Sequence, residues 1–583
     1  MGRIFCVAAA VFTVASVHVA DGQIYRYEAE NGTRDGTVVQ SSTPGFSGTG
    51  YVNFNSGNSV TVQANVPDGL YEMWIGYNSP FGFKGYDFQV DSVTGSNGFD
   101  GNSNLWGTDR AGVFDLTGAT NSLRINRGWG YYNVDYFELR PFTPPALLPI
   151  TTQLSDPQAS LRTQQLMNYL VSQYGQKTLS GQQGNVGSNT AFPTSDYLAK
   201  SGGVVPAIRG SDFIEYSPSR IAHGSNPNGE TERIINWAKQ TGGIPSMMWH
   251  WNAPTDLIDT PGHEWWRGFY TDSTTFDVQA ALANPGSPKY NLLVSDIDAI
   301  AVQLQKFEDA GVPVIWRPLH EAQGNMPDGA AWFWWGAKGP QAFKDLWHLM
   351  YDRLTNVKGL HNLIWEFTSS AAQGNHLDWY PGDDVVDMVG LDVYTDPNSN
   401  MNGQWYDTLQ FYNGRKMLAL SETGTLPKPA DLDKWGINWS YFSPWTWDYI
   451  RDQYITQRGY TEAQLQALLQ TLLNGNDIIT LNELPILPWS NLAPALPGDY
   501  NHDHVVDAAD YTVWRDSFGQ TGSGLAADGN GNGQIDAGDY DVWRLYFGQT
   551  GAGATGAVPE PGSVLLISLA LVILFSQRAL HQR

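Results

Sequence analysis

The sequence predicts a multidomain chain: a central (β/α)8 barrel, an all-β sandwich before it, and a small helical repeat module after it. Three observations predict this. From Thr178 onward, short apolar runs alternate eight times with helix-period stripes over about 340 residues, the pattern of a parallel barrel with long loops. Between residues 24 and 142, short alternating runs such as Ser59-Val60-Thr61-Val62 and Tyr71-Glu72-Met73-Trp74-Ile75 are separated by Gly, Asn and Asp turns. After residue 497, Asp499–Gln520 and Asp528–Gln549 repeat one another and end in "VWRDSFGQT" and "VWRLYFGQT".

The elements follow in chain order. Residues 1–20 read as a secretory signal peptide, with Arg3 ahead of an apolar stretch and small residues near Ala20. The single cysteine, Cys6, lies inside it, so the mature chain is expected to hold no disulfide and to rely on packing and ions. Residues 24–142 make one β-sandwich of jelly-roll type. Residues 143–160, opening on Thr143-Pro144-Pro145, make a stiff linker.

The barrel spans 161–492. Met167, Leu170, Val171 and Tyr174 mark a helix face at its start. The expected strands are Thr178–Gly181, Val204–Ile208, Ile244–Trp249, Val314–Trp316, Asn362–Trp365, Val385–Leu391, Met417–Leu420 and Trp439–Phe442. Helical stripes lie between them, among them Ile297, Ile300, Ala301, Leu304 and Phe343, Leu346, Trp347, Met350. The repeats occupy 497–550, and a Gly- and Ala-rich linker with an apolar tail occupies 551–583.

Composition narrows function. A formal net charge of −25 argues against a nucleic-acid partner and fits a secreted protein that binds calcium. Aromatics reach 13 %, with 23 Trp and 28 Tyr, which suits a large core or flat apolar ligands such as sugar rings.

Catalytic side chains of such barrels emerge where strands end, at the C-terminal face. Glu321 lies just past the fourth expected strand and Glu422 just past the seventh. Two carboxylates across a barrel mouth are the minimum apparatus for cleaving a glycosidic bond, one protonated and one charged. Glu215, Glu366 and Asp392 also follow expected strands, and periodicity alone does not choose the pair.

A resemblance chooses it. "LSGQQ" from Leu179, "MWHWNAP" from Met248, "WRPLHE" from Trp316, "WFWWG" from Trp332, "GLDVY" from Gly390 and "LSETG" from Leu420 resemble glycoside hydrolase family 26, mostly endo-β-1,4-mannanases, in the right order. The resemblance implies a TIM-barrel fold and a retaining mechanism, with Glu321 as acid/base and Glu422 as nucleophile. It also places His250, Trp251, His320, Trp332, Asp392 and Tyr394 in the cleft, with Tyr394 on the nucleophile and His320 on a sugar hydroxyl, orienting a carboxylate, or equally a satisfied group behind the residues that touch substrate. Trp445 is the expected floor of the sugar site, with Trp447 a competitor. The stretch Ala322–Ala331 is longer than in many members, which leaves substrate choice more open than mechanism. A β-glucanase or xylanase on the same barrel, or a non-catalytic glycan-binding surface protein, are the rival readings. No metal cluster suits catalysis, so no catalytic cofactor is expected.

The flanks carry further resemblances. "YEAE" from Tyr27, "GFSGTGYVNF" from Gly45 and "GWGYYNVDYFEL" from Gly128 resemble carbohydrate-binding module family 35. That implies a structural Ca2+ on Glu28, Glu30 and Asp135, and a glycan surface including Trp129 and Asn133. The repeats resemble type I dockerin calcium loops, making an EF-hand-like module. Asp499, Asn501, Asp503, Val505, Asp507 and Asp510 take the ligand positions of the first loop, and Asp528, Asn530, Asn532, Gln534, Asp536 and Asp539 those of the second. His504 stands where a glycine is usual. A dockerin implies a cohesin partner; the alternative is a calcium-stiffened spacer. Finally, Pro559-Glu560-Pro561, the apolar run Val564–Phe575 and terminal arginines resemble a PEP-CTERM sorting signal, the run being shorter than the ~20 residues of a spanning helix. The protein is therefore expected outside the cell or on the surface of a Gram-negative-type bacterium.

Overall fold

The computed structural model describes residues 23–549 except 56, 104, 187–190, 325–330, 371–375, 396–398, 492–495, 502–504 and 523–524. The expected signal peptide, the sorting tail, Asp503 and His504 lie outside the described residues. The chain divides into two compact units: residues up to 146 together with Thr395–Gln410, and the rest.

The first unit holds two antiparallel sheets. One runs Val38–Gln40, Tyr51–Asn53, Asn133–Pro141, Gly69–Asn78, Gly107–Leu116, with Tyr25–Glu28 also beside Asn133–Pro141. The other runs Thr33–Asp35, Ser59–Ala64, Asn121–Arg127, Lys84–Val90, Val93–Phe99. Alternate inward residues from both, such as Val60, Val62, Ile75, Leu123, Ile125 and Phe137, close over one apolar core.

In the second unit eight parallel strands close a barrel. They are β1 (Thr178–Gln183), β2 (Ile208–Asp212), β3 (Ile244–Met248), β4 (Val314–Arg317), β5 (Leu363–Ser370), β6 (Met388–Val393), β7 (Leu418–Thr423) and β8 (Tyr441–Pro444). Closure is made by β1 pairing with both β8 and β2. Every residue of all eight is buried, so apolar alternation is weak and apolar runs are short. The long helix α1 (Pro288–Asp309) shows how the outer ring is set. Ser287 caps its first turn through the Tyr290 N–H, Pro288 occupies a position that needs no N–H donor, and Leu293, Ile297, Ile300 and Leu304 face inward.

Several strand boundaries differ from expectation. β2 is Ile208–Asp212 rather than Val204–Ile208: its Arg-Gly-Ser-Asp portion is polar and small, and buried hydrogen bonds rather than apolar pattern hold it. β6 and β8 likewise run further toward the mouth than expected. Because β5, β6 and β7 all run past their expected ends, Glu366 and Asp392 lie within β5 and β6 rather than after them, and Glu422 is the next-to-last residue of β7.

The repeats form two helices, Ala508–Ser517 and Ala537–Tyr546, each capped by an aspartate, Asp507 or Asp536. They lock reciprocally: Trp514 Nε1 donates to the Asp536 carbonyl (2.8 Å) and Trp543 Nε1 to that of Asp507 (2.7 Å). Among the described residues no helix is long and apolar enough to cross a membrane.

Candidate active site

The site is built on the mouths of β4 and β7. After β4 the chain turns through Leu319 and Glu321, both left-handed at φ of +51° and +52°. Non-glycine residues adopt this at a cost of about 1–3 kcal/mol, and only where surroundings impose it. Here the Glu321 N–H donates to the Thr368 carbonyl (3.2 Å), and its own carbonyl accepts from Gly324 N (2.9 Å). Trp332 N then bonds the Gly324 carbonyl (2.9 Å). A Cβ on Gly324 would lie 1.9 Å from the Trp332 ring, so only glycine lets this indole fold back beside the turn.

Glu321 is almost wholly buried. Burial first, and the negative charge of Glu422 second, push its carboxyl up to about 8, with Arg317 pulling the other way. Glu422 is held differently. Its Oε2 accepts from Arg317 Nη2 (2.5 Å) and its Oε1 from the Tyr394 hydroxyl (2.5 Å), both suited to a carboxylate. Gly424 makes room for Tyr394, since a Cβ there would stand 2.6 Å from its ring. Arg317 also donates through Nη1 to both oxygens of Asp392 (3.1 and 3.0 Å). Burial weighs against the guanidinium charge, but Asp392 and Glu422 outweigh it and push the Arg317 pKa up.

A second chain of polar groups lines the mouth from the other side. Asp212, the last residue of β2, accepts from His250 N (3.0 Å) and Ile214 N (2.8 Å), and its other oxygen meets His250 Nδ1 at 2.5 Å. Burial alone would raise Asp212; His250 and the two backbone N–H groups pull it down. A carboxylate only accepts, so His250 Nδ1 carries the proton. His250 Nε2 lies 3.1 Å from His320 Nε2. Burial, then the charges of His250 and Arg317, hold His320 far below the usual histidine range. The two Nε2 atoms share one hydrogen bond, and His320 Nδ1 is buried without a partner.

Trp445, partly exposed, is fixed by Trp445 N to the Thr423 carbonyl (2.8 Å) and by Gln182 Nε2 on its own carbonyl, with its ring 6.2 Å from that of His250. Its competitor Trp447 is buried and donates to Asp196 (2.7 Å), so it is core.

Four expected contacts need correction. Trp251 is fully buried, stacked on Trp249 at 4.3 Å and bonded to Asp296 (2.8 Å), facing away from the mouth. Asp392 is buried and turns both oxygens to Arg317 rather than standing open at the mouth. His320 touches neither catalytic candidate through its ring; it supports His250. Asn133 is buried, accepting from Asn53 (2.7 Å) and donating to Asn78 (3.0 Å), so it lies inside the sandwich rather than on a glycan surface. Sequence reasoning also missed two residues. Arg317 stood in the "WRPLHE" phrase as the last residue of a barrel strand, a place where a guanidinium points into the mouth. Asp212 was hidden because β2 was displaced.

Of the expected metal ligands, Glu28, Glu30 and Asp135 gather around one loop. Ser47 donates to Asp135 (2.9 Å) and Glu28 (2.7 Å), and Thr49 N to Glu30 (2.7 Å). Glu30 Oε2 is buried without a partner, and burial pushes Asp135 up to about 6. In the repeats, Asp510 and Asp539 are buried and each accept loop N–H groups: Tyr500, Asn501 and Asp507 for the first, Asn530 and Asp536 for the second. Asp528 accepts from Asn532 N and Gly533 N, and Asn532 from Gln534 N. Asp499 is buried and Val505 half-buried in the first loop. Among the described residues no three acidic, histidine or cysteine side chains converge closely enough to hold a metal ion.

Glycosyl hydrolase family 26 matches residues 155–463, more than half of the chain. The chain belongs to glycosyl hydrolase family 26. Residues 25–142 of this family 26 hydrolase match carbohydrate binding module family 35. It is 37 % identical over 461 residues to a mannan endo-1,4-beta-mannosidase of Thermothelomyces thermophilus, covering 79 % of this chain and 90 % of that one. Mannan endo-1,4-beta-mannosidase B of a Piromyces species is 33 % identical over 78 % of this chain and 77 % of its own. Among solved structures, a GH26-CBM35 beta-(1,4)-mannanase of Podospora anserina shares 38 % identity with a TM-score of 0.54, covering 80 % of this chain and 99 % of that one.

Proposed function

We infer that this family 26 hydrolase is a mannan endo-1,4-β-mannosidase that works by double displacement. The observation that carries the mechanism is the contrast between its two mouth carboxyls: Glu321 raised toward 8 and able to hold a proton, Glu422 paired with a buried guanidinium and a phenol. A carboxyl raised by burial and a neighbouring anion suits the proton donor, and one that accepts from a guanidinium and a phenol suits the nucleophile.

The steps follow. Glu422 attacks the anomeric carbon while Glu321 gives its proton to the leaving glycosidic oxygen, so one C–O bond breaks as another forms. Esterified Glu422 no longer repels a negative charge at Glu321, whose pKa falls. Glu321 then takes a proton from water, the water oxygen attacks the anomeric carbon, and Glu422 leaves as carboxylate. Arg317 and Tyr394 hold Glu422 for attack, and Asp392 holds Arg317. Asp212 and His320 hold His250 through both of its ring nitrogens, while Trp332 and Trp445 offer aromatic faces to the sugar. Relatives named as mannan endo-1,4-beta-mannosidases support mannan as substrate.

The remaining features support a secreted, calcium-bearing protein. Oxygen ligands suit Ca2+. Glu28, Glu30 and Asp135 face one loop, where the unpartnered Glu30 oxygen and the repulsion among the three favour a cation, and their side chains would have to draw closer than they stand to hold one. The loops around Asp499 and Asp528 would hold others, giving the repeats a surface for a cohesin partner. The sorting tail would direct the chain to the cell surface.

The deciding variant is Glu422→Ala, assayed on mannan, glucomannan, mixed-linkage glucan, xylan and an activated aryl mannoside. Wild type is expected to prefer mannan, and the variant to lose several orders of magnitude in turnover while melting like wild type. Near-wild-type turnover of the activated substrate by the variant would remove Glu422 from the mechanism.

A further inference from the structure

Just past β3, Trp249-His250-Trp251 sends two indoles one way and an imidazole the other. Trp249 and Trp251 stack at 4.3 Å, while His250 between them meets Asp212 and His320. Along an extended chain successive side chains alternate, so what fixes the indoles outward fixes the imidazole inward. The reaction uses neither indole, yet both N–H groups are spent. Trp249 donates to the Ser217 hydroxyl (2.9 Å) and Trp251 to Asp296 Oδ2 (2.8 Å).

Asp296 stands in the middle of α1, on the inward face with Leu293, Ile297 and Ile300, and is 2 % exposed. Burial pushes its carboxyl up to about 7, and the Trp251 N–H pulls against that. An aliphatic side chain there would spare the helix the desolvation of a carboxyl, so stability does not account for an acid. What the acid supplies is direction: an indole has one N–H, and a single acceptor turns its ring one way. The connection runs on toward the mouth. The Trp251 carbonyl accepts from Trp334 Nε1 (2.6 Å), with the two rings edge-on at 5.0 Å. Next to it, Trp335 Nε1 donates to the carbonyl of His320 (2.9 Å), the residue before Glu321. Phe333 packs against the rings of His250 (5.6 Å), His320 (5.4 Å) and Trp335 (4.5 Å). Hydrogen bonds thus join an outer helix to the loops after β3 and β4, and the second loop carries Glu321.

We propose that Asp296 is a positioning residue for hydrolysis: from α1 it anchors Trp251, and through Trp251 and Trp334 it holds the loops after β3 and β4 closed around Glu321. It touches neither the sugar nor the reacting atoms. Its effect reaches the reaction through burial, the largest cause of the raised Glu321 carboxyl. With the anchor released, the loops admit water to Glu321, whose carboxyl then ionises at lower pH. The titratable groups around Glu321, among them Glu422, Arg317, Asp392, Tyr394 and Tyr270, are left unaltered. The proposal rests on Glu321 being the acid of the functional reading above.

The test follows the full chain hydrolysing mannan across the pH range. Asp296→Leu removes the acceptor and keeps apolar bulk. Its kcat is expected to fall about tenfold with KM little changed, and the alkaline limb of kcat/KM to move below about 8. Trp251→Phe removes the N–H and keeps a ring; it is expected to move the limb the same way, and it carries the test if the leucine variant does not fold. Because both changes break one bond, the double variant is expected to be no worse than the worse single. Asp296→Asn keeps an acceptor oxygen and cannot ionise. It is expected to stay within about threefold of wild type with its limb near 8, which also assigns that limb to Glu321 rather than to Asp296. An unmoved limb in folded Asp296→Leu or Trp251→Phe overturns the proposal, even where the melting temperature drops. So does an asparagine variant as impaired as the leucine one, or additive losses in the double variant. A wild type with no alkaline limb would instead overturn Glu321 as the acid, and the kcat contrast between the leucine and asparagine variants would still decide the role of Asp296.

Discussion

Glu422 at the barrel mouth and Glu366 beneath it are both buried carboxylates on barrel strands, held in different ways. Ser370, Asp392 and Glu422 share one register level across β5, β6 and β7, and Glu366 lies four residues deeper. Glu366 accepts from the hydroxyls of Ser421 and Tyr441 (2.6 Å for Tyr441), neutral donors on neighbouring strands. Burial raises its pKa, and Arg317 pulls against that. Glu422 meets a guanidinium and a phenol instead, and it acts on a second acid, Glu321, whose proton it helps retain. Position near a strand end does not separate a catalyst from a structural acid. What separates them is whether a carboxyl is finished by its neighbours or coupled to another carboxyl across open space.

The largest expected consequence concerns that coupling. Glu321 must carry a proton to act as acid, so kcat/KM is expected to fall as pH rises through about 8, where the carboxyl ionises. Glu422→Gln removes the second-largest cause of the shift but leaves burial in place. The Glu321 pKa should drop toward the ordinary carboxylate range, read by carbon-13 NMR titration of the labelled carboxyl. A titration that does not move would break the comparison, because the two mouth acids would then be as independent as either is of a structural acid.

A smaller effect is expected at Asp212. Asp212→Asn keeps the shape but can donate where the carboxylate only accepted, so His250 loses the partner that fixes its Nδ1 proton. kcat/KM on mannan should fall about tenfold, with a changed acidic limb of the pH profile because the Asp212 carboxylate, held low against its burial by His250 and backbone N–H groups, is gone. Asp212→Glu should recover part of the loss. A purely structural Asp212 would lower the melting temperature in both variants and leave the pH profile unmoved.

These residues also show how far the sequence could be read. Seven barrel strands were legible within a few residues because each carries a short buried apolar or aromatic run, such as Val314-Ile315-Trp316 or Leu363-Ile364-Trp365. β2 was displaced because its polar half reads as loop, and Asp212 went with it. Glu321 and Glu422 were marked by ordered phrases, but periodicity could not rank them above Glu366, whose satisfaction by Ser421 and Tyr441 is a matter of neighbours distant in sequence. Trp251 and Trp445 were indistinguishable for the same reason: both follow strands, yet one finds Asp296 and Trp249 behind it and the other stays half open beside His250. Asn133 looked available because nothing local reveals that Asn53 and Asn78 enclose it.

The smallest effect is expected at Glu366, and it tests the comparison from the other side. Glu366→Gln keeps an acceptor for one hydroxyl, and the second hydroxyl can turn to donate elsewhere or accept from the new amide. Removing a charge that burial already disfavours costs little, and Arg317 keeps Asp392 and Glu422 as its hydrogen-bonded anions. Turnover on mannan should stay within about threefold of wild type, with the pH limb near 8 unmoved. Stability should change by on the order of 1 kcal/mol, measured by urea unfolding. A loss of turnover as deep as that of Glu422→Ala, in a variant that melts normally, would mean that Glu366 takes part in the chemistry. Arg317 would then be shared among three working acids, and the contrast between finished and coupled carboxyls would no longer explain which acids of this barrel act.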